Sequence, residues 1–178
     1  MSDLICANTI SEAALAIATT QVGVRESGGQ NRGPEVELYL AAAGGEPGES
    51  WCAAFLYWCF RRASNVLMVP NPCPRTVGAQ NVYKLAEPRF RRTSPARGAI
   101  FVMDHGHGLG HVGFVDTAYP DGTISTVEGN TNRDGARNGD SVWRHGPWNP
   151  LDGKRGILMG YVDLADAVAL PASAAPVS

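Results

Sequence analysis

The chain has 178 residues, of which 44% are hydrophobic, and a formal net charge of −2. This length and hydrophobic content predict one ordinary domain with a buried core and leave little room for a second domain. The near-neutral charge gives no electrostatic footprint for nucleic acid, so we expect no nucleic-acid partner.

The sequence shows no sign of export by the general route or of membrane insertion. No stretch approaches the roughly 20 apolar residues that span a bilayer. The N-terminus lacks the basic segment of a secretory signal, and polar residues interrupt its apolar ones. Four cysteines are too few for a disulfide framework in a chain of this size. We expect a protein that is synthesised in the cytoplasm without a signal peptide, has no membrane span and acts as a monomer.

Helical patterns occupy the first half of the chain. Residues 9–21 carry an apolar stripe behind a capping Thr9 or Ser11. Pro34 suits the first turn of a second helix that runs to about Ala43. The predicted helical segments are 9–21, 34–43, the apolar run from Cys52, and a short one from Thr76, as its cap, to Ala86.

After Pro95 the pattern changes to short apolar runs separated by Gly, Pro, Asp and Asn, which is typical of strands. Helices followed by strands predict an α+β fold with the N-terminal helices packed on an antiparallel sheet. The domain is expected to cover 1–165, and the Ala- and Pro-rich residues 166–178 to form a flexible tail. The predicted strands are 99–102, 111–115, 123–127, 141–143 and 157–162.

A cysteine, Cys52, opens the apolar run that follows Ser50. Unbroken apolar residues suit a buried helix or a buried strand. We favour a helix because Ser50 can cap it and Arg61-Arg62 would complement the dipole at its C-terminus. In a first turn, Cys52 would face unpaired backbone N–H groups that favour the nucleophilic thiolate. Cys59 would lie two turns deeper and is expected to be a small core residue.

A Tyr-Pro-Asp-Gly turn signal joins two of the strand patterns. A hairpin closed at this turn pairs Ala118 with Thr123. In that register His111 lies opposite Asn130, and Glu128 is its diagonal neighbour on the same face. An odd-length loop would shift the register by one residue and turn Glu128 and Asn130 away.

These residues form the parts of a cysteine acyl-transfer enzyme. Cys52 would attack an amide carbonyl, and His111 would hold the thiolate as an ion pair and then protonate the departing amine. A carboxylate or amide behind the imidazole would orient it. The strand register alone favours Asn130 as the residue that orients the imidazole, because Asn130 lies directly opposite His111. Glu128 is the alternative. The backbone N–H of Cys52 is a natural oxyanion donor.

Three motifs follow one another along the chain. Taken together they resemble the CHAP family (cysteine, histidine-dependent amidohydrolase/peptidase), which belongs with the NlpC-type, papain-like cysteine peptidases, and the likeness covers roughly residues 5–165. The resemblance implies a papain-like fold, catalytic roles for Cys52, His111 and Glu128, and Asn130 as the fourth active-site residue. The motifs are Gly48-x-Ser50-Trp51-Cys52-Ala53-Ala54-Phe55, Gly110-His111-Val112-Gly113-Phe114-Val115 and Val127-Glu128-Gly129-Asn130-Thr131.

The resemblance also implies a substrate and a biological setting. Family members mostly cleave peptidoglycan, as muramoyl-L-alanine amidases or as endopeptidases of the stem peptide. Without a signal peptide, such an enzyme would reach the cell wall or periplasm through phage lysis or a specialised secretion system. It would then be a phage lysin or an antibacterial effector, and an effector would imply a cognate immunity protein. There are two alternatives. The chain could be a small-molecule amidase or acyltransferase on the same fold, or a wall-binding module without catalytic activity.

Two further features bear on the site. His105, His107 and His111 stand close together in sequence and raise a zinc alternative, yet no paired carboxylate or second histidine cluster accompanies them. No acidic loop suits calcium either, so no metal and no cofactor are predicted. Trp51, next to the nucleophile, is expected to line the substrate cleft. The loops 27–33 and 132–137 are candidates for its border, although loops of such composition usually only connect elements.

Overall fold

The computed structural model describes residues 7–136 and 138–170, which form an α+β fold as predicted. Within these residues four helices precede a six-stranded antiparallel sheet of order β1-β6-β2-β3-β4-β5. The helices are α1 Ile10–Thr20, α2 Pro34–Ala43, α3 Cys52–Leu67 and α4 Ala79–Leu85. The strands are β1 Arg91–Arg92, β2 Ile100–Gly106, β3 Leu109–Ala118, β4 Ile124–Thr131, β5 Ser141–Trp148 and β6 Ile157–Val162.

The helix ends follow local chemistry, with two corrections to the predicted caps. Thr9 caps α1 by accepting a hydrogen bond from the Glu12 N–H at 3.1 Å, as one of the two alternatives had it. Helix α2 begins at Pro34 as predicted. The prediction that Thr76 caps the fourth helix is wrong, because its hydroxyl accepts from the Gly78 N–H within the preceding turn.

The N-cap of helix α3 lies one residue later than predicted. The cap is Trp51 rather than Ser50, and Cys52 is the first helical residue. The arginines at 61–62, expected in the last turn, lie in mid-helix because buried residues at 63–64 continue its apolar face. Cys52 is therefore as close to the positive end of the helix as a helical residue can be.

Strands β2 and β3 form a tight hairpin around the histidine-rich segment. Gly106 pairs with Leu109, and the intervening His107 and Gly108 have φ of 55° and 77°. Two successive residues with positive φ are the signature of a type I′ turn, whose twist matches the flanking strands. The glycine-rich spacing of the histidines therefore reflects turn geometry.

Strands β3 and β4 pair in the predicted register next to the candidate site. Phe114 pairs with Val127, and Val115 pairs with Thr126. This register places Glu128 on the same face as His111, because alternate side chains of a strand share a face.

Near the turn the predicted pairing is wrong by one residue. Ala118 pairs with Ile124 instead of Thr123, so the loop covers residues 119–123, an odd number. A bulge between Val115 and Thr117 inserts Asp116 into β3 and restores the predicted register beyond it. The extra loop residue and the bulge offset each other.

The sheet is covered on both faces. The larger core lies between the helices and side chains such as Val112, Phe114 and Val127, and a smaller cluster around Phe101 and Met103 lies on the opposite face. Residues 167, 168 and 170 pack against the larger core, while 171–178 lie outside the described residues. The boundary between a domain at 1–165 and a tail stays a prediction.

No helix in the described part of the chain has the length and apolar character needed to cross a membrane.

Candidate active site

Cys52 is almost fully buried at the point where α3 meets β4. Gly129 permits this close approach, because a Cβ there would lie 2.8 Å from ring atoms of both Phe55 and Trp51. As a first-turn residue, Cys52 has a backbone N–H without an intrahelical acceptor. The fold therefore brings a thiol and free backbone donors to one buried spot.

His111 on β3 and Glu128 on β4 form a buried pair. The imidazole Nε2 lies 2.8 Å from Oε2 of Glu128. Gly113 stands between them on the same face, and a Cβ there would lie 2.6 Å from Cγ of Glu128. The missing side chain at Gly113 therefore gives the Glu128 side chain room to reach the imidazole.

The other ring nitrogen of His111, Nδ1, is not bound by Glu128. Nδ1 is buried and has no hydrogen bond of standard geometry within the described residues, and the Cys52 side chain interacts with the ring. Burial lowers the pKa of His111, but the interactions with Cys52 and Glu128 outweigh burial and raise it to about 9. The imidazole is thus a cation at neutral pH, as an ion pair with a thiolate requires.

Glu128 remains ionised although it is fully buried. Burial raises the pKa of its carboxyl group, whereas the hydrogen bond and charge of His111 and the guanidinium of Arg155 hold the pKa well below its usual range. His145 also lies 3.9 Å from Oε2 of Glu128, but burial lowers its pKa and keeps it neutral. Glu128 can therefore orient and stabilise the imidazolium without taking its proton.

Asn130 is buried but contacts the helix start rather than the imidazole. In the amide orientation that satisfies both neighbours, Nδ2 donates to the Gly139 carbonyl at 2.7 Å, and Oδ1 accepts from the Trp51 N–H at 3.1 Å. Its φ of 57° lies in the left-handed region that asparagine tolerates better than most residues. Of the two sequence candidates, Glu128 is the one beside the imidazole.

Trp51 is fully buried behind the nucleophile. Its indole N–H donates to Oε1 of Glu26 at 2.8 Å, and its ring packs against Tyr39 and Phe55. This position suits a packing residue and offers no ring face to a ligand. The prediction that Trp51 lines the substrate cleft therefore disagrees with the structure, because the apolar ring is more stable in the core.

A cavity of about 270 Å³ opens beside His111. Its walls include Asp134, Gly135 and Ala136 from the loop between β4 and β5, which places this loop at the border of the site as the sequence suggested. Lys154 and Arg155 also line the cavity.

The three histidines of the hairpin do not converge on a point. His107 is exposed at the tip, whereas His111 faces Glu128. Among residues 7–136 and 138–170, no group of three or more His, Cys, Asp or Glu side chains is placed to hold a metal ion. The donor set needed for the zinc alternative is not present at this hairpin.

Sequence reasoning missed Arg155, Thr126 and Glu26. Arg155 reaches Glu128 from the turn before β6, and Thr126 donates to the same carboxylate. Each is a single polar residue without a local motif, and only the tertiary fold brings it to the site. The strand alternation did carry a signal for Thr126, since residues 126 and 128 share a face.

A cysteine at a helix start, facing a histidine on a neighbouring strand, is the arrangement of papain-like cysteine hydrolases. The match to the family model "CHAP domain" spans residues 44–130, which include Cys52, His111 and Glu128. Residues 44–130 therefore match a CHAP domain, and the site is consistent with a cysteine, histidine-dependent amidohydrolase or peptidase of the NlpC-type, papain-like group. No curated protein and no solved structure shows significant similarity to the chain.

Proposed function

We propose that the chain hydrolyses an amide bond of bacterial peptidoglycan through a thiol acyl-enzyme on Cys52. The observation that carries this proposal is the interaction of Cys52 with the buried His111–Glu128 pair inside the segment that matches the CHAP domain. The family supports an amidohydrolase acting on peptidoglycan, and the site supplies the groups that this reaction needs.

The reaction proceeds in two steps. The Cys52 thiolate attacks the amide carbonyl carbon and forms a C–S bond, and the backbone N–H of Cys52 donates to the developing oxyanion. The imidazolium of His111 gives its proton to the amine nitrogen as the C–N bond breaks. Water then attacks the thioester, His111 takes a proton from it, and the thiolate leaves with the C–S electron pair.

Glu128 and Asn130 have different parts in this proposal. Glu128 orients the imidazole and stabilises its charged form. Asn130 holds the backbone just before Cys52, so that the oxyanion donor and the sulfur keep their relative positions. The catalytic unit is residues 1–165, acting as a monomer.

The setting of the proposed activity follows the family. The bond is in the stem peptide or between muramic acid and L-Ala, and the enzyme reaches it as a phage lysin or as a secreted antibacterial effector. An effector would be kept inactive in the producing cell by an immunity protein. These assignments rest on the CHAP domain match.

Digestion of purified sacculi tests the proposal. We expect the wild type to release fragments whose new termini, read by mass spectrometry, name the bond. Cys52→Ala should lower the rate by at least about a thousandfold, because the nucleophile is removed. Cys59→Ala is the matched control, since Cys59 is a buried thiol of the same helix and should stay active.

Two other results would contradict the proposal. If the wild type releases nothing from sacculi but cleaves or transfers small acyl substrates, the chain is a small-molecule amidase or acyltransferase. If the wild type and Cys52→Ala bind sacculi equally and neither turns over any amide, the chain is a wall-binding module.

A further inference from the structure

The carboxylate of Glu128 is fully buried, and three polar residues make four contacts with its oxygens. Oε2 lies 2.8 Å from Nε2 of His111 and accepts from Nη2 of Arg155 at 2.6 Å. Oε1 accepts from Nη1 of Arg155 at 3.1 Å and from the hydroxyl of Thr126. A carboxylate bound on both oxygens by one planar guanidinium is fixed in its plane.

Arg155 is itself held in place. Its guanidinium carbon lies 4.3 Å from the centroid of the Trp148 ring, and the indole N–H of Trp148 donates to Thr126 at 3.3 Å. A Cβ on Gly135 would lie 3.1 Å from the guanidinium. The side chain is 18% exposed and packs against Trp148 and Gly135, so Arg155 has little freedom to leave Glu128.

We propose that Arg155, which lies outside the segment matched by the CHAP domain, is a positioning residue that fixes the Glu128 carboxylate and takes up part of its charge, so that one oxygen faces Nε2 of His111. In this role the arginine acts on the reaction only through Glu128. This inference rests on the proposed function, because it assigns a part in the same site.

The geometry also defines a competing role for Arg155. It forms one wall of the cavity beside His111, where it could contact a substrate anion directly. The two roles differ in kinetics. Loss of a positioning contact lowers kcat, whereas loss of a ground-state substrate contact raises KM.

The charge on Arg155 has a measurable effect on His111. The positive guanidinium of Arg155 disfavours the charged form of the nearby imidazole. By binding Glu128, the guanidinium also weakens the attraction between the carboxylate and the imidazolium. Removing the guanidinium while Glu128 stays ionised should therefore raise the pH at which His111 loses its proton. The charged and titratable groups around the imidazole are Cys52, Glu128, His145, Arg155 and, across the cavity, His105, Asp134 and Lys154.

The experiment compares Arg155→Gln, Arg155→Lys and a control, Arg89→Gln. Arg89 also pairs with a glutamate, at 2.9 Å, and lies over an aromatic ring, but both partners of its ion pair are exposed. Activity on sacculi is measured as kcat and KM. The titration of His111 is followed by NMR in the Cys52→Ala background, which needs no activity and stays informative if peptidoglycan is not the substrate.

We expect Arg155→Gln to lower kcat by about tenfold or more with KM within about twofold of wild type, and to raise the midpoint of the His111 titration. Arg155→Lys keeps the charge but loses the bidentate contact, so its kcat should lie between those of the wild type and Arg155→Gln. Arg89→Gln should match the wild type. A raised KM with unchanged kcat would assign Arg155 to substrate binding. An unmoved or lowered His111 midpoint in a folded variant would also overturn the inference.

Discussion

Asn130 illustrates how a single buried side chain can bind the backbone next to Cys52. Its amide bridges the Trp51 N–H and the Gly139 carbonyl, and its own carbonyl accepts from the Gly139 N–H at 3.0 Å. Trp51 is the N-cap of the helix that begins at Cys52. The amide therefore joins the helix start to the loop beyond β4, and this contact sets where the sulfur lies.

At this scale we predict that Asn130→Gly lowers kcat and destabilises the fold by about 1–3 kcal/mol, because the N–H of the buried Trp51 and the Gly139 carbonyl lose their partner. Glycine accepts the positive φ without strain, so the change isolates the side chain. Urea unfolding and the sacculus assay measure the two effects. The NMR titration of His111 should stay at its wild-type midpoint. A shifted midpoint would mean that Asn130 acts on the imidazole after all.

How far sequence predicts this site depends on the kind of signal each residue carries. The proximity of His111 and Glu128 follows from strand alternation, which depends only on local periodicity and a turn. The contact of Asn130 with the helix start could not be predicted, because it depends on how α3 docks on the sheet. Arg155 lay further out of reach, since a lone arginine in a turn has no pattern that points to a partner 27 residues away.

At the scale of whole elements, the site depends on α3 approaching β4 closely. Gly129 is the contact point, with ring atoms of Phe55 and Trp51 at 2.8 Å from where a Cβ would stand. These aromatic rings are in the core and cannot retreat without disturbing its packing. The separation of the two elements is therefore fixed by the absence of one methyl group.

We predict that Gly129→Ala destabilises the protein by about 1–3 kcal/mol through overpacking and lowers activity more than this loss of folded protein explains. The added methyl should push the helix start, and Cys52 with it, away from His111. Gly146→Ala is the matched control, because a Cβ in that strand position meets nothing within 4 Å. Equal activity per folded molecule in the two variants would contradict this account.

For the molecule as a whole, the buried ion pair links stability to pH. The pKa of His111 rises from 6.5 to about 9 on folding, because Cys52 and Glu128 outweigh the effect of burial. A group with a raised pKa contributes its full stabilisation below its unfolded pKa and loses it as pH rises through the folded value. Glu128 has the opposite sign, and its contribution is lost as pH falls below the usual range of a glutamate.

We therefore predict that the free energy of unfolding falls by about 3 kcal/mol between pH 6.5 and 9, with Tm falling accordingly. Thermal or urea unfolding across this range measures the change. His111→Gln cannot titrate, so its stability should change little over the same interval. A parallel decline in both proteins would assign the pH dependence to other groups.

The bulge at Asp116 has a consequence for how this hairpin tolerates changes in length. Arg97 and Arg144 hold its carboxylate at 3.2 and 2.8 Å, and the inserted residue cancels the parity of the odd loop 119–123. A single inserted or deleted residue in the hairpin therefore needs a second one to compensate for it if the site is to stay intact. The bulge can be that second change. His111 and Glu128 share a face as long as the number of residues between them stays even, whatever that number is. A chain with a four-residue turn and no residue at the position of Asp116 would therefore reach the same geometry.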